Sequence, residues 1–257
     1  MTDPTGRSVS TGSPPFNPHS SVADIQKSIY LTPVAQVSNR EALWEFVRIM
    51  GPAVMGVLLK RAVLVSNYMY AGRLDDSLFM GGMGLGELTA NLMCVSVGIG
   101  LGGGIDTLSS TAFGNKSYYL AGSYYNSAMV LLTVIFAGQA VILWNATDIL
   151  MFLGQPESTS ILAGEFLRHY MVGIFSLCQV ELLRKFLGAQ GNFTLITKVQ
   201  MGTFVVHLLC LYLFVHRWGM GINGIAIASS ITHFLTLSIT MLYMTLVNSS
   251  TLGDSWH

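Results

Sequence analysis

The chain has 257 residues, of which 10% are charged and 51% hydrophobic, and its mean hydropathy is +0.55. A water-soluble chain carries about 25% charge, so a pair of soluble domains is excluded. Lysine plus arginine equals aspartate plus glutamate at 13 each, which gives no electrostatic case for a nucleic-acid partner.

Residues 1–40 are a different material from the rest. Five of the seven prolines (Pro4, Pro14, Pro15, Pro18, Pro33) fall here among Ser, Thr and Gly. Such a segment buries too little apolar surface to offset its ordering entropy, so a disordered cytosolic tail is predicted. The first apolar run opens only after it, and that helix is expected to serve as the insertion signal in place of a cleavable leader.

Six apolar stretches follow, at Leu43–Tyr70, Leu78–Ile105, Ser123–Asn145, Ile161–Leu187, Val199–Val215 and Ile222–Val247. They run from 17 to 28 residues, long enough for the roughly 17–25 that a bilayer-spanning helix needs. The fold class predicted is all-α integral membrane, a six-helix bundle over 41–248, with 249–257 as a cytosolic end. Short connections make successive helices antiparallel neighbours. The longest, near Thr147–Ser160, is expected to hold a short interfacial helix through Ile149–Leu153. Lys27, Arg40, Arg48, Lys116, Arg184, Lys185 and Lys198 fall on one side of the alternation, and Arg73, Arg168 and Arg217 on the other. Basic residues concentrate on the cytosolic side, so both termini are predicted there.

Pro52, inside the first stretch, removes a backbone hydrogen bond and is expected to kink it. In the second stretch Gly98, Gly100, Gly102, Gly103 and Gly104 crowd one end. They satisfy a dinucleotide-binding pattern without the strand that pattern requires. Two readings stand: close packing through Gly98/Gly102 and Gly100/Gly104, or local loosening of the helix.

Charges at membrane depth are expensive and face a cavity or a partner. Lys60 lies about 18 Å along the helix from Arg48, and Arg61 and Glu87 fall at similar depth on the first two helices. A charge pair of Glu87 with Lys60 or Arg61 is expected, the alternative being a protonatable Glu87 that gates a lumen. Glu181, Arg184 and Lys185 stand at helical spacing and are expected to pair locally. Asn91, Gln139 and Gln179 read as interhelical hydrogen-bonding amides, and Cys94, Cys178 and Cys210 as small core residues. His169, His207, His216 and His233 show no metal-ligand spacing. No catalytic constellation appears, so neither enzyme activity, cofactor nor metal is expected.

Several short motifs run in order through these stretches: Ala71-Gly-Arg-Leu74, Gly104-Ile-Asp-Thr-Leu108, Ala112-Phe-Gly114, Ile142-Leu-Trp144, Phe152-Leu-Gly-Gln155, Ala163-Gly-Glu165, Leu183-Arg-Lys-Phe-Leu187 and Ala189-Gln190. From about Glu41 to Val247 the chain resembles the N-terminal lobe of a multidrug and toxic compound extrusion (MATE) transporter of the eukaryotic type. The resemblance implies two six-helix lobes around a central path, with proton or sodium entry driving export of organic cations or other xenobiotics by alternating access. It implies as partners the lipid bilayer, those compounds, the coupling ion, and a missing C-terminal lobe or a second copy. The location implied is a plasma or vacuole-type membrane. Many bacterial relatives carry an aspartate where this chain has Asn67, and Asp106 and Thr107 match a family motif that shapes the cytosolic gate. Helix capping and pairing with Lys116 is the alternative for Asp106. The candidate substrate or ion path is thus Asn67, Glu87, Asn91, Asp106, Thr107 and Gln179. Lys60, Arg61 and Thr111 depart from the family pattern. The alternative function is a truncated, non-transporting membrane protein that acts by pairing with partner helices.

Overall fold

Small residues recur every fourth position down the second apolar stretch: Gly82, Gly86, Ala90, Cys94, Gly98 and Gly102. All six are buried, and they let two long helices approach closely. The computed structural model describes residues 39–74 and 77–247. Its elements are α1 Asn39–Ala71, α2 Ser77–Ala90, a wider helical turn at Asn91–Val95, α3 Ser96–Gly114, α4 Tyr118–Trp144, α5 Ala146–Phe152, α6 Glu157–Ala189, α7 Phe193–Leu211, a second wider turn at Tyr212–Arg217, and α8 Gly221–Val247. Six helical stretches among the described residues are long and apolar enough to cross a membrane. No strand occurs among the described residues.

The proposed tail and the C-terminal end lie outside the described residues, except that α1 already begins at Asn39. The described residues from Val47 to Val247 form one compact unit. The separate unit before it is described only from Asn39 to Phe46, the opening turns of α1.

Helix α6 is the axle of the bundle, with 56% of its most apolar span buried. It packs against α2, α3, α4, α5 and α8. The four-residue row of α2–α3 lies against it. A Cβ on Gly86 would stand 2.8 Å from the Phe166 ring, and one on Gly98 3.4 Å from Cys178 Cβ. Gly102 meets Lys185 and Leu182. Gly100, Gly103 and Gly104 have open space beside them. Of the two expected glycine pairs, then, Gly98/Gly102 packs and Gly100/Gly104 does not. Phe186 of α6 stacks on Tyr125 of α4 with ring centres 4.7 Å apart, and both are fully buried.

Pro52 sits within the continuous run of α1. Its carbonyl accepts a 2.7 Å hydrogen bond from Thr197 Oγ1 of α7. One turn on, Gly56 is buried, and a Cβ there would lie 3.1 Å from the same hydroxyl. Here α1 meets side chains of α7 and α6, with Thr197 Oγ1, Gln200 Oε1 and Arg184 Nη1 within 3.3 Å of that Cβ position.

The short helix expected through Ile149–Leu153 is present as α5, slightly earlier than expected. Arg168 of α6 ties it down by donating from Nε to the carbonyl of Trp144, the last residue of α4, at 3.2 Å. Three helix ends share one cap, in which successive N–H groups reach back five and three residues. Gln155 and Gly154 close α5, Asn192 and Gly191 close α6, and Ser117 and Lys116 close α3. In the first two the left-handed position is glycine, but in the third it is Lys116 at φ +59°.

Candidate functional site

Asn67, Glu87 and Asn91 come together with Lys60, Arg61, Tyr170 and His233 around a cavity of about 60 Å³. Helix α1 brings Lys60, Arg61 and Asn67, α2 and its wider turn bring Glu87 and Asn91, α6 brings Tyr170, and α8 brings His233. The wider turn shapes one wall. Its backbone bonds reach five residues back, Ser96 N–H to the Asn91 carbonyl, so the regular four-residue bond is lost. The Asn91 amide instead donates to the Glu87 carbonyl at 2.8 Å and to Glu87 Oε2 at 3.3 Å. Turns of this kind, inserted into α-helices, are frequent at functional sites.

The expected charge pair is corrected. Lys60 bonds Glu181 of α6, not Glu87. The reason is angular: depth along the helix says nothing of direction about its axis, and that direction turns Lys60 to α6 while Arg61, about 100° round, points elsewhere. Lys60 turns into the bundle, while Arg61 is exposed and makes no ion pair among the described residues. Glu181 also lies 3.8 Å from Arg184 Nε, as the helical spacing led one to expect. Lys185 instead reaches Asp106 at 2.9 Å.

Asp106 is therefore not a helix cap. Helix α3 runs on to Gly114, which leaves Asp106 two turns inside it. Its carboxylate takes Lys185, not Lys116, because Lys116 closes the far end of the helix. Thr107 beside it is exposed and donates to the Gly103 carbonyl. Gln179 is buried against α4, where it donates to Thr133 Oγ1 at 3.1 Å and the Met129 carbonyl at 3.3 Å. Gln139 likewise bridges helices, to the Met93 carbonyl at 2.6 Å. Asp106, Thr107 and Gln179 thus lie away from the cavity that joins Asn67, Glu87 and Asn91.

Sequence reasoning missed the polar seam behind that cavity. Asn67 Nδ2 donates to Ser229 Oγ at 2.9 Å, and Asn67 Oδ1 lies 3.1 Å from His207 Nε2. His207 Nδ1 lies 2.9 Å from Thr232 Oγ1, and the Thr203 and Thr236 hydroxyls meet at 2.9 Å. The seam ties α1 to α7 and α8, and all six side chains are at most 3% exposed. A signal existed: Ser229, Thr232, Thr236 and Thr240 repeat on one face of α8, and Thr203 and His207 are four apart on α7. Screening the histidines for metal-ligand spacing alone passed over it.

The family model MatE matches residues 52–213. Protein DETOXIFICATION 16 of Arabidopsis thaliana is 28% identical over 205 residues, which is 80% of this chain and 41% of that protein. Protein DETOXIFICATION 35 of the same plant is 30% identical over 189 residues, 70% of this chain and 39% of its own length. This chain thus spans about two fifths of the curated relatives it matches. Among solved structures, the eukaryotic MATE transporter AtDTX14 superposes with a TM-score of 0.75 at 23% identity, over 81% of this chain and 46% of that one. The Vibrio cholerae MATE transporter VcmN in its bent form gives 0.69 at 20% identity, over 80% and 50%. With the family model covering most of its helices, this multi-pass membrane chain belongs to the MatE family of transporters.

Proposed function

We propose that this chain is one lobe of a cation-coupled exporter. The lobe moves organic cations or other toxic compounds by alternating access, in exchange for protons or sodium. The observation that carries the reading is the polar cavity at mid-span. It combines Arg61, which has no ion pair among the described residues, the Glu87 carboxylate and the Asn67 and Asn91 amides, groups too costly to leave in hydrocarbon. A path between two lobes gives them water or a ligand to face. The second lobe is either a C-terminal half or a second copy of this chain. Asp106, Thr107 and Lys185 act at the cytosolic end of the path, both termini lie in the cytosol, and the membrane is of plasma or vacuole type.

The test is gradient-driven movement of a fluorescent organic cation in vesicles. One set holds this chain joined to a second six-span lobe, and the other holds the chain alone. Movement in the first set only, under a proton or sodium gradient, supports the proposal. Movement in neither set removes it and favours a protein that acts by helix pairing. Movement with the chain alone would overturn the need for a different second lobe and make two copies the exporter.

A further inference from the structure

The His207 ring has no exposed surface, so its two nitrogens must find partners inside the protein. Nδ1 faces Thr232 Oγ1 and Nε2 faces Asn67 Oδ1. The Thr232 hydroxyl gives its own hydrogen to the Ala228 carbonyl at 2.8 Å. It can then only accept from the ring, which puts a hydrogen on Nδ1. Asn67 spends an amide hydrogen on Ser229, which leaves its oxygen towards Nε2, and that oxygen also asks for a hydrogen. Acceptors on both sides are what a doubly protonated ring requires.

A neutral ring fits the same place after one change. If the Asn67 amide turns over, Nδ2 donates to Nε2 and Ser229 donates to Oδ1. Every group remains bonded. Which way an amide points follows from such a network, and here the network has two solutions. They differ by one proton on Nε2 and by the orientation of one amide on α1.

We propose that His207 is a proton-binding site inside the bundle and that the Asn67 amide passes its state to α1. The proposal deepens the transport reading and rests on it: the coupling ion is the proton. The step is a simple addition, in which a proton from the medium joins the Nε2 lone pair and nothing leaves. Asn67 lines the 60 Å³ cavity, so the route to the buried ring runs past the amide that must turn. From α8 the titratable group facing His207 is His233, and beyond it lie Lys60 of α1 and Glu181 of α6, already paired to each other. No carboxylate bonds the ring among the described residues.

The experiment is nitrogen NMR of the whole chain in lipid nanodiscs, with histidine rings and asparagine side chains labelled, between about pH 5 and 8. The expected result is that the His207 ring passes from one protonated nitrogen to two, and that the Asn67 amide signals shift with the same midpoint. His207→Gln identifies the ring. Should that variant not fold, replacing the other histidines leaves His207 as the sole labelled one. A ring that stays singly protonated across the window overturns the proposal, as does titration without movement of the Asn67 signals. If the titration is intact but vesicles show no gradient-driven movement, the transport reading falls and the proton site stands.

Discussion

Lys60 of α1 and Glu181 of α6 are bonded across 121 positions of sequence, with side chains 29% and 15% exposed. The pair fixes the middle of α1 to the central helix at a depth where neither charge could face lipid. Arg184 shares the same carboxylate, and its Nε and Nη2 are buried without hydrogen-bond partners among the described residues. Removing Glu181 thus strands two cations, whereas removing Glu87 loses only a hydrogen bond from Asn91.

Glu181→Gln is accordingly expected to lower stability by up to roughly 3–5 kcal/mol, the range for breaking a buried pair. Glu87→Gln should cost about 1 kcal/mol, as for one hydrogen bond. Thermal unfolding in mild detergent measures both. Adding Lys60→Met to Glu181→Gln should recover much of the loss. A Glu87 variant less stable than the Glu181 variant would contradict this assignment of partners.

What sequence could and could not reveal follows from the same residues. The six spans and the short helix at Ala146–Phe152 were legible, because hydropathy and length alone decide whether a segment can satisfy its backbone inside a bilayer. Partners were not. Depth along a helix can be counted from sequence, but which neighbour a side chain meets depends on rotation about the axis and on helix order in space. Depth alone matched Glu87 with Lys60 or Arg61, while rotation turned Lys60 to Glu181. The second span runs on to Gly114, past the apolar stretch that ends at Ile105, through the polar residues Thr107, Ser110 and Thr111. Their hydroxyls bond back four residues within the helix, Thr107 to Gly103, Ser110 to Asp106 and Thr111 to Thr107.

The glycine row makes a contrast that can be measured. A Cβ on Gly82 would lie 2.5 Å from Leu162 Cβ, an atom fixed to the α6 backbone, whereas one on Gly100 meets nothing within 4 Å. Gly82→Ala forces α2 and α6 apart and should cost about 1–3 kcal/mol, as overpacking does. Gly100→Ala should be neutral or stabilising by up to about 1 kcal/mol through helix propensity. Parallel melting curves decide it, and equal effects at the two positions would mean that the row is not the seam between these helices.

Lys116 offers a stabilising change. It holds the left-handed position of the α3 cap at φ +59°, where an L side chain costs roughly 1–2 kcal/mol. Glycine has no such penalty but loses more freedom on folding. Lys116→Gly should therefore gain about 0.5–1 kcal/mol. Lys116→Val should destabilise, since a β-branched residue tolerates positive φ poorly. If the valine variant melts no lower than the parent, the cap is not formed at that end of α3.

The last prediction concerns orientation. Ser117 and Asn192 follow the second and fourth spans, and Ser158 opens the fourth at the other end of α6. Alternation through the bilayer puts the first two on one side and the third on the other. The excess of lysine and arginine around Lys116, Lys185 and Lys198 makes the first side cytosolic. Cys94 and Cys178 are buried, so after Cys210→Ser a cysteine placed at each position reports on that position. With an impermeant thiol reagent on intact cells, Ser158→Cys should label, while Ser117→Cys and Asn192→Cys should label only after the membrane is opened. Labelling at Ser117 from outside would reverse the proposed topology. Labelling of Ser117 and Asn192 from opposite sides would go further and remove one of the two spans between them.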